Sequence, residues 1–187
     1  MNWILCLFVL LLSSCDQKPQ ETQYNEIIVQ AEGSNEPESS SMGDIFTWVT
    51  PQGWNEADGE GMRLATFHLR SDPGAIDCSI LSLGATAGSL EANLRRWMRQ
   101  LAIQTSDDHV NSLITSALTL KTKDGLEAKI FDFTNLQTFN SPSDKSMLAT
   151  IIVLDKATVF IKMTGSIQAV KQNKEDYLEL VASIARK

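Results

Sequence analysis

The sequence predicts an α+β domain: an antiparallel β-sheet of about six or seven strands flanked by two long helices, in an α/β/α sandwich. Three observations carry this. Lys123-Asp124-Gly125 and Asp155-Lys156-Ala157 each separate two apolar runs, which reads as two hairpins and so as antiparallel pairing. Segments 90–101 and 167–184 change to a helical period. The strand runs are apolar on both faces in part, so the sheet needs cover on both sides.

The elements follow in chain order. Trp3 to Leu12 is ten apolar residues, short for a membrane span of roughly 20 and right for a secretory h-region. Leu12-Ser13-Ser14-Cys15 then resembles the bacterial lipobox, in which a peptidase cuts after small residues and before a cysteine carrying diacylglycerol. The n-region Met1-Asn2 departs from the usual pattern in having no Lys or Arg. On this reading residues 1–14 are a lipoprotein signal peptide, and Cys15 carries the lipid (palmitate and related acyl chains) that anchors the rest. Residues 15–44 hold the lipidated cysteine and a disordered acidic tether rich in Glu, Ser, Gln and Asn, with Ile27-Ile28-Val29 as its one apolar break.

The domain occupies residues 45–187. Ile45 to Val49 reads as a strand, and Pro51-Gln52-Gly53 as a turn. Gly61 to Leu69 and Ile76 to Leu83 are the next strands, separated by a turn at Ser71-Asp72-Pro73-Gly74. Leu90, Leu94, Trp97, Met98 and Leu101 form the stripe of an amphipathic helix capped by Ser89, with Glu91 at its positive end. Ser106 or Asp107 caps a short helix reaching Ile114. Four strands follow, Ala117 to Lys121, Leu126 to Phe133, Met147 to Leu154 and Thr158 to Met163, with a polar loop from Asn135 to Ser146 between the hairpins. A last helix, capped by Ser166, buries Ile167, Val170, Tyr177, Leu178, Val181 and Ile184.

Composition excludes several function classes. The 187 residues suffice for one ordinary domain, and 43% apolar content is enough for a core. The net charge of −7 sits mostly in the tether: residues 16–44 hold seven acids against Lys18 alone, while residues 45–187 hold 16 acids and 15 bases. No basic nucleic-acid footprint is present. His68 and His109 lie 41 positions apart, and Cys78 is the only soft ligand in the domain, so neither a metal site nor a cofactor is expected. Cys78 lies in an apolar run and reads as a small buried hydrophobe. No G-x-S-x-G elbow occurs, and Asp107-Asp108 and Glu175-Asp176 read as capping and solvated acids.

The strand running into Pro51-Gln52-Gly53-Trp54, the closing strand, the Gly165-Ser166 link and the last helix resemble the PsbP-like superfamily. That superfamily includes oxygen-evolving-complex accessory proteins, Ran-binding relatives and bacterial periplasmic lipoproteins. The segments 61–67 and 93–100 are similar to an uncharacterised bacterial lipoprotein family with that fold. The resemblance implies an α/β/α sandwich around an antiparallel sheet and a non-enzymatic role. It implies no particular ligand, since fold does not fix function.

Binding candidates cluster on the first helix. Arg95, Arg96 and Arg99 place three guanidiniums in five residues, and Asn93, Arg96 and Gln100 share a polar stripe beside the Trp97 face. Such a stripe could hold a carboxylate or phosphate, as arginine does bidentately. The same pattern describes a solvated helix face whose Arg stems cover sheet edges. Trp54, beside the first turn, and Trp97 are aromatic anchors for a partner or core residues. The sequence thus reads as a non-enzymatic protein- or ligand-binding module on a lipid anchor, contacting the membrane through Cys15 and no nucleic acid. A structural or assembly subunit of an envelope complex is the alternative, and an enzyme with an unrecognised site is a third. Asp16 resembles the residue that retains enterobacterial lipoproteins in the inner membrane, which places the domain on the outer face of the plasma membrane.

Overall fold

Local sequence sets each reversal of the sheet. In the computed structural model, which describes residues 45–70, 72, 75–84, 87–136 and 144–187, the Trp54 N–H donates to the Pro51 carbonyl at 3.2 Å. Gly53 takes φ +84°, the left-handed value that the third position of a type II turn requires. Cys15, Asp16, the signal peptide, the tether, Ala85-Thr86 and Pro142 lie outside the described residues.

The chain forms β1 (Phe46–Thr47), β2 (Trp54–Asp58), β3 (Arg63–Leu69) and β4 (Ile76–Gly84), then α1 (Leu90–Gln100) and α2 (Asp107–Thr115). It continues through β5 (Leu118–Lys121), β6 (Glu127–Asp132), β7 (Lys145–Val153) and β8 (Ala157–Ser166). It closes with α3 (Ile167–Gln172), α4 (Lys174–Ser183) and β9 (Ala185–Arg186). Seven strands make one antiparallel sheet in the order β2-β3-β4-β8-β7-β6-β5. Two meanders are thus joined where β4 pairs with β8, from Ile76↔Gly165 to Gly84↔Ala157.

The helices cover both faces, as the expected sandwich requires. One core joins Phe67, Cys78, Ile80, Ile161 and Met163 of the sheet to Val170, Tyr177, Leu180 and Val181 of α3 and α4. The other joins Phe131, Met147, Ala149 and Phe160 to Leu94, Trp97 and Met98 of α1 and to Val110 and Leu113 of α2. β7, shared by both cores, is buried at every position from Ser146 to Ile152. Ser89 and Ser106 cap α1 and α2 as expected, accepting from the Ala92 and His109 N–H groups at 3.2 Å. In the first core the Tyr177 hydroxyl donates to the Ile161 carbonyl at 2.8 Å and accepts from Thr150 at 2.7 Å, so its polar tip is satisfied despite full burial.

Three expectations need correction. Ile45 to Val49 is not a strand of the main sheet: only Phe46–Thr47 is extended and paired, and it pairs with β9 in a separate two-stranded sheet. The turn at Gly53 redirects the chain before the main sheet begins. The first strand of that sheet is β2, whose sequence WNEAD buries only Trp54 and so carries no apolar alternation to read. The last helix is interrupted at Asn173 (φ −102°, ψ 15°), where its side-chain amide donates to the Ala169 carbonyl at 2.9 Å.

Gly165 shows why a small residue sits near the end of β8. A Cβ there would lie 2.2 Å from the Ala75 carbonyl oxygen and 3.3 Å from Ile76 Cγ2. Gly165→Ala is therefore expected to destabilise the domain by about 1–3 kcal/mol through overpacking. Gly84→Ala meets open space and serves as the control in the same thermal denaturation.

Candidate functional site

Cover on the α1–α2 face thins beyond β8. The buried sheet side chains of that core come from β6, β7 and β8, with Leu81 and Leu83 at the end of β4 packed against them, so the rest of that face, on β2, β3 and the start of β4, is left to polar residues. Strand register identifies them. Asn55, His68, Asp77 and Thr164 form one row across the sheet, and Ala57, Thr66, Ser79 and Lys162 form the next. A register shift between Arg63 and Ala65 brings Arg63 opposite Leu81, onto this face, where simple alternation puts it on the other. The result is a cleft of about 480 Å³ lined by Ala57, Asp58, Glu60, Arg63, Thr66, His68 and Asp77.

Charge is organised within it. Arg63 Nη1 donates to Thr66 Oγ1 and to Asp77 Oδ1, both at 3.3 Å, which commits the Asp77 carboxylate to Arg63. Lys162 stands at the seam between covered and uncovered sheet, half-buried beside Ser79 on one side and Ala149 on the other. Burial, and then the positive charges of Arg63 and Arg96, hold its ammonium below the ordinary lysine range, with Asp77 opposing. On α1, Arg96 is exposed and donates to the Asn93 side-chain oxygen, while Arg95 pairs with Asp107 of α2.

The predicted site residues separate into two groups. Arg96 and Gln100 are exposed on α1. Asn93 is buried; its amide donates to the carbonyls of Ala87 (3.1 Å) and Ser89 (3.0 Å), and its oxygen accepts from Arg96. It holds the turn before α1 and positions Arg96, with no donor left for a ligand. Trp97 is 1% exposed and Trp54 2% exposed, so both are core residues presenting no surface to a partner. Trp97 meets Phe133 and Phe160 edge-on, Trp54 packs on Phe67, and the Trp54 indole N–H finds no acceptor among the described residues. Cys78 is buried against the α3–α4 face, and burial pushes its thiol far up, consistent with a structural role. Among the described residues no cluster of His, Cys, Asp and Glu is arranged to hold a metal ion.

Sequence reasoning missed Arg63, Asp77 and Lys162. Lys162 sits within an otherwise apolar strand, VFIKMTG, and a lone cation at a mid-sheet position was the available signal. Nothing in the sequence marked the bulge that turns Arg63 to the same face.

A second concavity, of about 310 Å³, lies between α2, β6 and the start of α4 and contains Asp132 and Lys174. Burial raises the Asp132 carboxyl. Hydrogen bonds from Lys174 Nζ at 2.8 Å and from the Thr134 hydroxyl and N–H, together with the Lys174 charge, outweigh that and bring it below its usual range. A carboxyl lowered on folding contributes stability that is present above its unfolded value of about 3.9 and lost as pH falls through the folded value. Both side chains are partly exposed, so Asp132→Asn is expected to cost only about 1 kcal/mol at pH 7. That difference should vanish in acid, which a series of melting curves across pH will check.

The fold and cleft define a class: an α/β/α sandwich with one half-covered sheet face that holds a polar cleft. No family model and no curated protein matches the chain. Among solved structures it is similar to cyanobacterial PsbP (CyanoP) from Synechocystis, with 12% identity, TM-score 0.48, and 83% of this chain covering 99% of that one. It is also similar to LpqN, involved in cell envelope biogenesis of Mycobacterium tuberculosis, with 9% identity, TM-score 0.49, and 76% of this chain covering 83% of that one. A protein of Bacteroides thetaiotaomicron aligns at 15% identity and TM-score 0.45 over 78% of this chain; the match spans 46% of that longer chain.

Proposed function

We propose that the chain is a membrane-anchored, extracytoplasmic lipoprotein whose domain is a non-enzymatic protein- or ligand-binding module, with the cleft on β2–β4 as its contact surface. The observation that carries this reading is the half-covered face. Elsewhere the central sheet is closed by apolar helix stripes, yet here it leaves Arg63, Thr66, His68 and Asp77 facing a concavity. Polar groups held in place on rigid strands suit recognition. The lipobox and tether supply the anchor, and no helix among the described residues is long and apolar enough to cross a membrane. The cleft pairs Asp77 with its arginine, and the domain's thiol lies on the opposite face, an arrangement better suited to binding than to nucleophilic chemistry.

A cross-linked pull-down of the tagged, lipidated chain from its own membranes tests the proposal. A partner recovered reproducibly with the native chain and absent from the Cys15→Ser control supports it. Recovery of the chain alone from both samples contradicts the protein-binding form and leaves a small ligand as the only cargo of the cleft.

A further inference from the structure

We propose that the end of the domain at the β7–β8 turn rests on an anionic lipid bilayer; this contact is separate from the cleft and rests on the lipid-anchor reading above. Strand pairing assembles that end. Gly84 of β4 meets Ala157, Val153 meets Thr158, and Ala128 of β6 meets Ile152, so the β7–β8 and β5–β6 turns stand side by side. The closing segment joins them: the Arg186 N–H donates to the Asp124 carboxylate, and the Lys187 N–H donates to the Ile45 carbonyl at 2.9 Å. A concavity of about 510 Å³ opens among these segments, with Ile45, Phe46, Leu126, Val153, Leu154 and Ala157 as its apolar lining. Val153 is 74% exposed, and it also borders a second concavity, on the α1 face, with Leu90 and Ile151.

Three observations favour a bilayer as the occupant. The first is covalent. Ile45 lines the groove, and the chain running back to Cys15 leaves the domain there. A lipid on Cys15 keeps this end near the bilayer surface and makes the contact intramolecular, so a weak affinity suffices. The second is charge. Segments 121–129, 153–157 and 185–187 hold six cations, Lys121, Lys123, Lys129, Lys156, Arg186 and Lys187, against Asp124, Glu127 and Asp155, in a domain with 16 acids and 15 bases. Lys121 and Lys129 share Glu127 at 3.8 Å each, and Arg186 pairs with Asp124 at 3.6 Å. Among the described residues no carboxylate lies within 4.0 Å of Lys123 or Lys156. Such an excess is attracted to an anionic leaflet. The third is the combination. Exposed apolar side chains ringed by long basic ones sink the apolar tips below the head groups and keep the ammonium groups among the phosphates. The acid-bearing β2–β3 turn, with Asp58 and Glu60, lies at the opposite edge of the sheet, so the β5–β8 half of this end makes the contact.

Fluorescence quenching from the head-group region tests the contact. Asp144 and Asp155 are exposed and flank β7 at its two ends, on the order of 30 Å apart. Asp155→Cys and, separately, Asp144→Cys carry the fluorophore in the lipidated full chain, whose own Cys78 is buried, and each label removes one carboxylate. The chain is reconstituted into vesicles of phosphatidylglycerol and phosphatidylcholine bearing a head-group nitroxide. Quenching at position 155 should exceed that at position 144 at least threefold. It should fall at least twofold with Val153→Ser, with Lys123→Gln and Lys156→Gln together, or when phosphatidylglycerol is left out. All three substituted residues are exposed, so the fold is retained. Equal quenching at the two positions, or no response to either variant, overturns the proposal, while flotation of the chain with the vesicles leaves the anchor standing. A chain that does not float overturns the anchor and the contact together. Shielding of position 155 in native membranes but never in protein-free vesicles assigns this end to a protein partner and overturns the bilayer contact.

Discussion

Cys15→Ser is expected to move the chain from the membrane fraction to the soluble fraction after a high-salt wash. On the proposed lipoprotein reading, the small residues Ser13 and Ser14 directly before Cys15 act as a lipobox, and the thioether to diacylglycerol can form only on the cysteine sulfur. Each buried methylene of an acyl chain contributes about 0.8 kcal/mol, so a second chain separates stable anchoring from marginal binding. The protein offers little to replace it. The tether is acidic and is repelled by anionic head groups, and no helix among the described residues can span a bilayer. A Cys15→Ser chain that still sediments with washed membranes would show that the lipid is not the anchor.

Trp97→Ala is expected to be the most destabilising single truncation on α1. Its ring lies 5.9 Å from Phe160 and 6.4 Å from Phe133, close to perpendicular to both, and it is 1% exposed. Removing a fully buried tryptophan forfeits its burial and leaves a cavity, costing about 3–5 kcal/mol. For a domain of this size that lowers Tm by on the order of 10 °C. Arg99→Ala, on the exposed side of the same helix, should stay within about 0.5 kcal/mol. A Trp97→Ala protein melting alongside Arg99→Ala would contradict the packing of α1 on the sheet.

The fold was legible wherever a local signal and an apolar pattern coincided. The hairpins at Gly125 and Asp155-Lys156, the capping serines 89, 106 and 166, and the stripe of α1 all follow from short-range chemistry. β2 and β9 escaped because one is a polar edge strand and the other only two residues long. The cleft was half legible. Arg96 stood out because arginines crowd α1, and the structure leaves it exposed there, bonded to Asn93. Asn93 shares its stripe but is consumed by the turn it caps, and Trp54 and Trp97 are claimed by the cores. Arg63, Asp77 and Lys162 reach one face only through a bulge and through the pairing of β4 with β8, which sets Ser79 against Lys162, 83 positions away. Such long-range register leaves no trace in a local pattern.

The central claim is that the face of β2–β4 beside α1 is where this domain meets its partner. The most direct test places a photoreactive side chain at Ala57, on the exposed rim of the cleft, and another at Glu179, on the exposed side of α4, in the lipidated chain in its own membranes. The account predicts a specific adduct from position 57 and none from position 179. Adducts from position 179 alone, or equal yields of the same adduct from both, would contradict it.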